Sequence, residues 1–332
     1  MAEIVLVTGA AGFIGRSLAA RLAAGGLKVR CLVHSGSDTS ALKAAGLDCF
    51  EGDLLDKPSL ERAAAGVSAV WHLGALVRPH EFILSRRKLA EKFRAVNAQG
   101  TENMASAAAA AGVKRFIYFS SISAGGPAVK KEGDKPRPLT AYGRSKLAGE
   151  TAMRRVAFET GLDFVIVRPA MIYGPGAQRW ESLFKLIKKG LVPVPGSGNY
   201  TPSVCWIESL IDGALIAAEK GAPGSVFNIC EEPITLNDLT AALAGFLKVK
   251  PVFIRVPEAL LGPAIRLLDK SLAAFGLAAP GLNFLADYGA FKEAVSSWSH
   301  DTSKLRALGW KPALPTREAF AETVRKSRSA PL

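Results

Sequence analysis

Residues 4–15 read Ile4-Val5-Leu6-Val7-Thr8-Gly9-Ala10-Ala11-Gly12-Phe13-Ile14-Gly15. The apolar run Ile4–Val7 has the make-up of a buried strand, and beyond it Ile14, Leu18 and Leu22 recur at helical spacing. A strand, a glycine-rich turn and a helix in immediate succession form the layout of a dinucleotide pyrophosphate site. Glycines let the backbone turn sharply and approach phosphate oxygens, while the helix start offers N–H groups and a positive dipole end. Gly9, Gly12 and Gly15, with Ala11, Phe13 and Ile14 between them, are therefore candidate cofactor-binding residues. These glycines are spaced three and three, where the common dinucleotide fingerprint spaces them two and three.

Working outward, strand-like runs Val29–Val33, Ala69–Leu73, Phe116–Phe119 and Phe164–Val167 alternate with helical patterns. The clearest helices are Asn97–Ala111, closed by Gly112, and Ala141–Thr160, closed by Gly161. Several strand runs are continuously apolar, as expected where helices cover both faces of a parallel sheet. Beyond Arg168-Pro169 the pattern changes. Gly174-Pro175-Gly176 and Val192-Pro193-Val194-Pro195-Gly196-Ser197-Gly198 punctuate a less regular stretch, Ser225–Ile229 returns as a strand, and helical patterns follow. The predicted fold is α/β: a doubly wound parallel sheet of Rossmann type with a smaller, mostly helical C-terminal substrate lobe. The nucleotide domain is expected over 1–173 plus about 203–230, and the lobe over 174–202 plus 231–332.

The net charge is +13 over 332 residues, but the basic residues are dispersed apart from Arg86-Arg87-Lys88, Lys130-Lys131 and Lys188-Lys189. No nucleic-acid motif accompanies them, so no nucleic-acid partner is expected, and the basic field reads as a solvated surface that favours an anionic cofactor or substrate. Cys31, Cys49, Cys205 and Cys230 have neither disulfide nor metal spacing, which points to a reduced, cytoplasmic protein. His34, His80 and His300 have no clustered carboxylates or cysteines, so no metal is expected. The chain opens on a strand, so no secretory leader is expected. Ser271–Ala286, uncharged but broken by Pro280 and two glycines, is too short to span a membrane. The region Ala259–Phe291 is nonetheless unusually apolar; it reads first as the lining of a greasy substrate pocket and second as a peripheral membrane contact.

A second constellation carries chemistry. In Tyr142-Gly143-Arg144-Ser145-Lys146, the phenol and the ammonium lie four apart and share a helix face. A tyrosine with its ordinary pKa of about 10 is a poor acid/base catalyst at neutral pH, and an adjacent cation is expected to lower it. The pair follows Ser120-Ser121, which close the strand Arg115–Phe119. A hydroxyl at a strand end followed by a helical Tyr/Lys pair is a much rarer arrangement than either alone.

With these residues the chain resembles the extended short-chain dehydrogenase/reductase superfamily, also called the NAD-dependent epimerase/dehydratase family. That family's glycine motif has the three-and-three spacing. The likeness extends through Gly52-Asp53-Leu54, His72-Leu73-Gly74-Ala75, Val96-Asn97-Ala98-Gln99-Gly100-Thr101, and Arg168-Pro169 with Tyr173-Gly174-Pro175-Gly176. It implies that Ser121 polarises the substrate oxygen, Tyr142 is the general acid/base, and Lys146 holds the nicotinamide ribose and lowers the tyrosine's pKa. It implies further that Asp53 contacts the adenine, that Leu54, Leu73, Gly74, Ala75, Pro169 and Ile172 line the cofactor, and that Asn97 shapes its helix and a water site. Alignment from Arg115-Phe116-Ile117 selects Ser121 over Ser120, Ser123 and Ser145. His72 is expected to be a core histidine.

Family members that prefer NAD carry an acid at the end of the second strand; here Val33 and then His34 stand there, and no carboxylate appears before Asp38. NADP is therefore expected ahead of NAD, with His34 near the 2′-phosphate. Ile122 and Ser123 occupy the places of the Asp-Glu pair of the family's sugar dehydratases, which disfavours dehydration. Ser120-Ser121-Ile122-Ser123-Ala124-Gly125-Gly126-Pro127 is closer to the 3β-hydroxysteroid dehydrogenase and dihydroflavonol reductase branch. The leading expectation is hydride transfer between a nicotinamide cofactor and a hydroxyl or ketone of an apolar small molecule. The alternatives are a sugar-nucleotide epimerase, which needs Arg179, Lys185 or Lys188 to grip a diphosphate, and a non-catalytic nucleotide-sensing protein. The resemblance also implies a homodimer. Ala105–Ala111 suits either such an interface or packing on the chain's own sheet.

Overall fold

A computed structural model describes residues 3–127 and 130–329 of the chain. Seven strands, β1 (Ile4–Thr8), β2 (Lys28–Val33), β3 (Asp48–Glu51), β4 (Ala69–His72), β5 (Arg115–Phe119), β6 (Phe164–Pro169) and β7 (Val226–Ile229), make one sheet. All pairings are parallel, in the order β7-β6-β5-β4-β1-β2-β3. The strand order reverses at β1, between β2 and β4, and ligands of such sheets bind at the carboxyl ends beside that point.

Side chains alternate between two cores with the strand period of two. Val5 and Val7 of β1, Ile117 and Phe119 of β5, and Val165 and Val167 of β6 face α1 (Phe13–Ala24) and the helix Ile207–Lys220. Leu6, Phe116, Tyr118 and Ile166 face the other way, towards α2 (Gly100–Ala110) and α3 (Ala141–Thr160). Ala105, Ala107 and Ala108 are buried in this second core, so the alanine run packs on its own sheet. Small side chains let α2 lie close to the strands.

Three features differ from the sequence reading. Asp48–Glu51, half-buried and short, forms the edge strand β3 and gave no apolar signal. The helix expected from Asn97 begins earlier: Arg86–Arg94 runs through a π-helical turn, Ala95–Gln99, into α2. The Val-Pro repeat is a strand, Leu191–Pro195, paired parallel with Val252–Val256; proline lacks an N–H but is tolerated in a two-stranded edge.

Much of the remaining chain is helical, including α4 (Glu258–Ala274) and α5 (Tyr288–Ala294). The C-terminal helix Thr316–Ser329 anchors the short strand Met171–Tyr173 after β6 by stacking Phe320 on Tyr173, with ring centroids 3.8 Å apart. The apolar region Ala259–Phe291 does not only line an interior. Ile265 and Phe291 enter a small core with Val295, while Leu260, Leu267, Leu268 and Phe275 are exposed. No helix among the described residues is long and apolar enough to cross a membrane.

Candidate functional site

The glycine turn prepares an anion site. Gly12 caps α1 without a side-chain hydrogen bond, and no acid sits in the first helical turn, so no local carboxylate competes for the helix dipole. A Cβ at Gly15 would lie 2.2 Å from the Gly9 carbonyl oxygen, so no larger residue fits this turn. The end of β4 closes against it. Gly74 N–H donates to Thr8 Oγ1 at 3.0 Å, and Leu54 packs beneath Gly74. Thr8 Oγ1 also shares a 2.8 Å hydrogen bond with His72 Nδ1, whose Nε2 lies 3.1 Å from Thr101 Oγ1. Burial pushes the His72 imidazole down to about 3, so it is a neutral core link between strands and α2. His34 follows β2 in the exposed region, with Nε2 3.5 Å from Asp53 Oδ2.

The second half of the site is built where β5 ends. Ser121 caps the short helix Ile122–Gly125, accepting from Ser123 N–H at 3.2 Å, and its hydroxyl lies beside the Tyr142 phenol. Thr140 caps α3, accepting from Gly143 N–H at 3.1 Å, which sets the first turn that carries Tyr142. One turn further, Lys146 is buried, its Nζ 4.6 Å from the centre of the Tyr118 ring. Asn97 sits in the π-helical turn, a distortion that re-aims a side chain. It clamps Leu76 by both backbone groups at 2.7 and 2.8 Å and donates to Ser145 Oγ at 2.8 Å. Ser145 in turn donates to the Tyr142 carbonyl at 2.7 Å. Ser121, Tyr142, Lys146 and Asn97 thus form one cluster. Pro169 is the buried end of β6, and the Ile172 carbonyl accepts from Trp180 Nε1 at 2.9 Å.

The electrostatics depart from the expected lowering of the tyrosine. Burial pushes the Tyr142 phenol up to about 12; the Ser121 hydrogen bond opposes this and the Glu293 charge adds to it. Burial likewise brings Lys146 down to about 7, while Glu150 favours its charge. Desolvation is the largest cause at both groups because both are enclosed. The phenol therefore carries its proton at neutral pH.

Several contributors were not evident from sequence. Glu150 lies one turn beyond Lys146 and accepts from Ser120 Oγ at 2.7 Å and from Arg168 at 2.7 and 2.8 Å. Burial alone would raise its carboxyl, but Arg168 and Ser120 hold it below the ordinary value. The four-residue step from Lys146 to Glu150 was a readable signal; the partner on β6 was not. Phe93 packs edge-on to Tyr142, centroids 6.2 Å apart. Glu293 of α5 accepts from Thr140 Oγ1 at 3.2 Å and from Ser123 Oγ at 3.5 Å, bringing a carboxyl from far along the chain to the start of α3.

A profile of the NAD dependent epimerase/dehydratase family matches residues 5–230. The chain belongs to that family. The protein y4nL of Sinorhizobium fredii is 32% identical over 97% of this chain and 94% of its own length. A 3 beta-hydroxysteroid dehydrogenase/Delta 5→4-isomerase of Mycobacterium tuberculosis is 29% identical, covering 96% of this chain and 88% of that protein. The 4-hydroxy-2-methyl-3-oxo-4-farnesyl-3,4-dihydroquinoline-1-oxide ketoreductase of Stigmatella aurantiaca is 28% identical, covering 76% of this chain and 75% of that one. Among solved structures, MoeE5 in complex with UDP-glucose and NAD superposes with a TM-score of 0.76 at 26% identity, over 98% of this chain and 99% of that one. The protein is an NAD(P)-dependent oxidoreductase of the extended short-chain dehydrogenase/reductase type.

Proposed function

We propose that this enzyme interconverts a secondary alcohol and a ketone on an apolar small molecule, with Ser121, Tyr142 and Lys146 as its working residues. The observation that carries this reading is the enclosed Tyr142 phenol, beside the Ser121 hydroxyl and one helical turn from a buried Lys146. In the reducing direction the Tyr142 O–H bond breaks and its proton passes to the substrate oxygen, to which Ser121 also donates. Lys146 holds the ribose hydroxyls and resupplies charge near the phenol. Asn97 positions both through Ser145 and the α3 backbone. The bound nicotinamide supplies the hydride at the carbonyl carbon.

The residues present fit that cofactor. The uncapped start of α1, with Gly9, Ala11, Gly12, Phe13, Ile14 and Gly15, would hold the pyrophosphate. Asp53 and Leu54 would meet the adenine, and Leu73, Gly74, Ala75, Pro169 and Ile172 would line the rest. NADP is preferred over NAD because β2 ends without an acid and His34 follows it. We assign cofactor binding to 1–173 with about 203–230, and substrate binding to 174–202 with 231–332. The four free cysteines suit a reducing, cytoplasmic setting. A homodimer through the outer faces of α2 and α3 is supported by Phe158, which stands 93% exposed on α3.

Two relatives named for a steroid and a farnesylated ketone favour an apolar substrate. The competing reading, a sugar-nucleotide epimerase, draws on the UDP-glucose complex. Against it, Lys185 and Lys188 lie exposed on their helix, while Trp180, Phe184 and Ile187 are its buried face; the Arg179 side chain lies outside the described residues. Tyr142→Phe is expected to lower turnover of an apolar ketone by about a hundredfold or more while leaving NADPH binding, read by fluorescence, nearly unchanged. Full activity in that variant would remove the acid/base assignment.

A further inference from the structure

The outward side of α4 is apolar along its length. Leu260, Leu267, Leu268 and, just past the helix, Phe275 are 69%, 68%, 40% and 80% exposed. Their spacing puts them on one helical face, opposite Gly262 and Ile265, which are buried. The same ridge continues onto a second segment. Leu84–Ser85 pairs antiparallel with Leu277–Ala278, and Gly281 N–H donates to the Phe82 carbonyl at 3.1 Å. These bonds hold Phe82 and Ile83, 58% and 53% exposed, beside the end of α4. Large apolar side chains scattered singly on a surface need no explanation, whereas a contiguous group of six marks a contact surface.

Charge indicates the occupant. Residues 77–95, which include Phe82 and Ile83, carry six Lys/Arg against two Glu; Lys92 pairs with Glu81 and Arg87 lies 3.7 Å from Glu91, while Arg78, Lys88 and Arg94 are exposed. Arg86 reaches from this segment to Asp269 on α4, so the basic stretch and the apolar ridge are fastened together. Lys270 adds a further exposed cation on α4. A two-fold interface between copies would bring two such basic rims into one contact, which is unfavourable. An anionic bilayer satisfies both parts, the apolar ridge entering the headgroup boundary and the cations meeting lipid phosphates.

We propose that α4 and the 82–94 segment form a peripheral docking surface for membranes containing anionic lipid. The helix Arg86–Arg94 also carries Phe93 against Tyr142, so one segment joins the docking surface to the phenol. The inference concerns binding and does not rest on the reaction assigned above.

Vesicle flotation tests it, using phosphatidylcholine alone and phosphatidylcholine mixed with phosphatidylglycerol. The wild-type protein is expected to float with the mixed vesicles, about tenfold less at high salt, and weakly with phosphatidylcholine alone. Leu267→Glu with Phe275→Glu should reduce binding to mixed vesicles by about tenfold or more, and Arg87→Glu with Lys88→Glu should abolish the preference for anionic lipid. All four sites are exposed, so an unchanged thermal midpoint and unchanged NADPH binding show that the fold is intact. No flotation with either vesicle, or flotation indifferent to both variants, overturns the proposal. A wild-type oligomer that Leu267→Glu with Phe275→Glu dissociates, without any vesicle binding, assigns the ridge to contact between copies and also overturns it.

Discussion

Tyr142 shows how enclosure sets the protonation state of a side chain. The phenol rises to about 12 although a lysine follows one turn later, because both are buried and the lysine itself falls to about 7. A proton donor is thereby kept in its acid form across the neutral range. Glu293 gives the sharpest prediction at this scale. Burial raises its carboxyl from 4.5 to about 7, against hydrogen bonds from Thr140 and Ser123. A raised folded pKa means the native state binds the extra proton, so this contribution is full below 4.5 and is lost as pH rises through about 7. Glu293→Gln retains an acceptor but cannot ionise. Urea unfolding should therefore find the variant close to wild type near the lower limit and more stable by about 3 kcal/mol or less above the upper one. Parallel stability–pH curves for the two proteins would contradict this account of the carboxyl.

At the scale of elements, the site depends on how closely α3 approaches the π-helical turn. A Cβ at Gly149 would lie 2.3 Å from the Tyr118 hydroxyl oxygen and 2.5 Å from the Asn97 carbonyl oxygen. Gly149→Ala must push α3 away, and a cost of about 2 kcal/mol is expected, with a fall in turnover because Tyr142, Ser145 and Lys146 ride on that helix. An unchanged thermal midpoint would show that the contact is looser. Elements of this kind were unevenly legible in the sequence. β1, the glycine turn and α3 announce themselves because period, glycine spacing and terminal glycine agree. The edge strand β3 does not, since an edge needs little apolar surface and its residues are only partly buried. Asn97 could be placed by likeness to a family, but its clamp on Leu76 depends on a π-helical turn that no periodicity reveals. Glu293 was hidden for a different reason: its partners are over a hundred and fifty residues away. The apolar stretch near α4 was visible, but which face is buried depends on what packs against it.

For the molecule as a whole, the sheet order places the glycine turn, the end of β4 and the end of β5 along one edge, the place where ligands of such sheets bind. The remaining residues decide what lies above it. Ile122 and Ser123, in place of an Asp-Glu pair, disfavour dehydration, and the basic, apolar surface of α4 and its neighbours suits substrates that partition into lipid. The proposed reaction consumes its cofactor. Incubating the enzyme with an apolar ketone and NADPH, then NADH, while following nicotinamide absorbance and product together, tests this directly. One NADPH should be oxidised for each ketone reduced, with NADPH used more efficiently than NADH. Product formed from a sugar nucleotide with no net change in absorbance, the cofactor staying bound throughout, would contradict it.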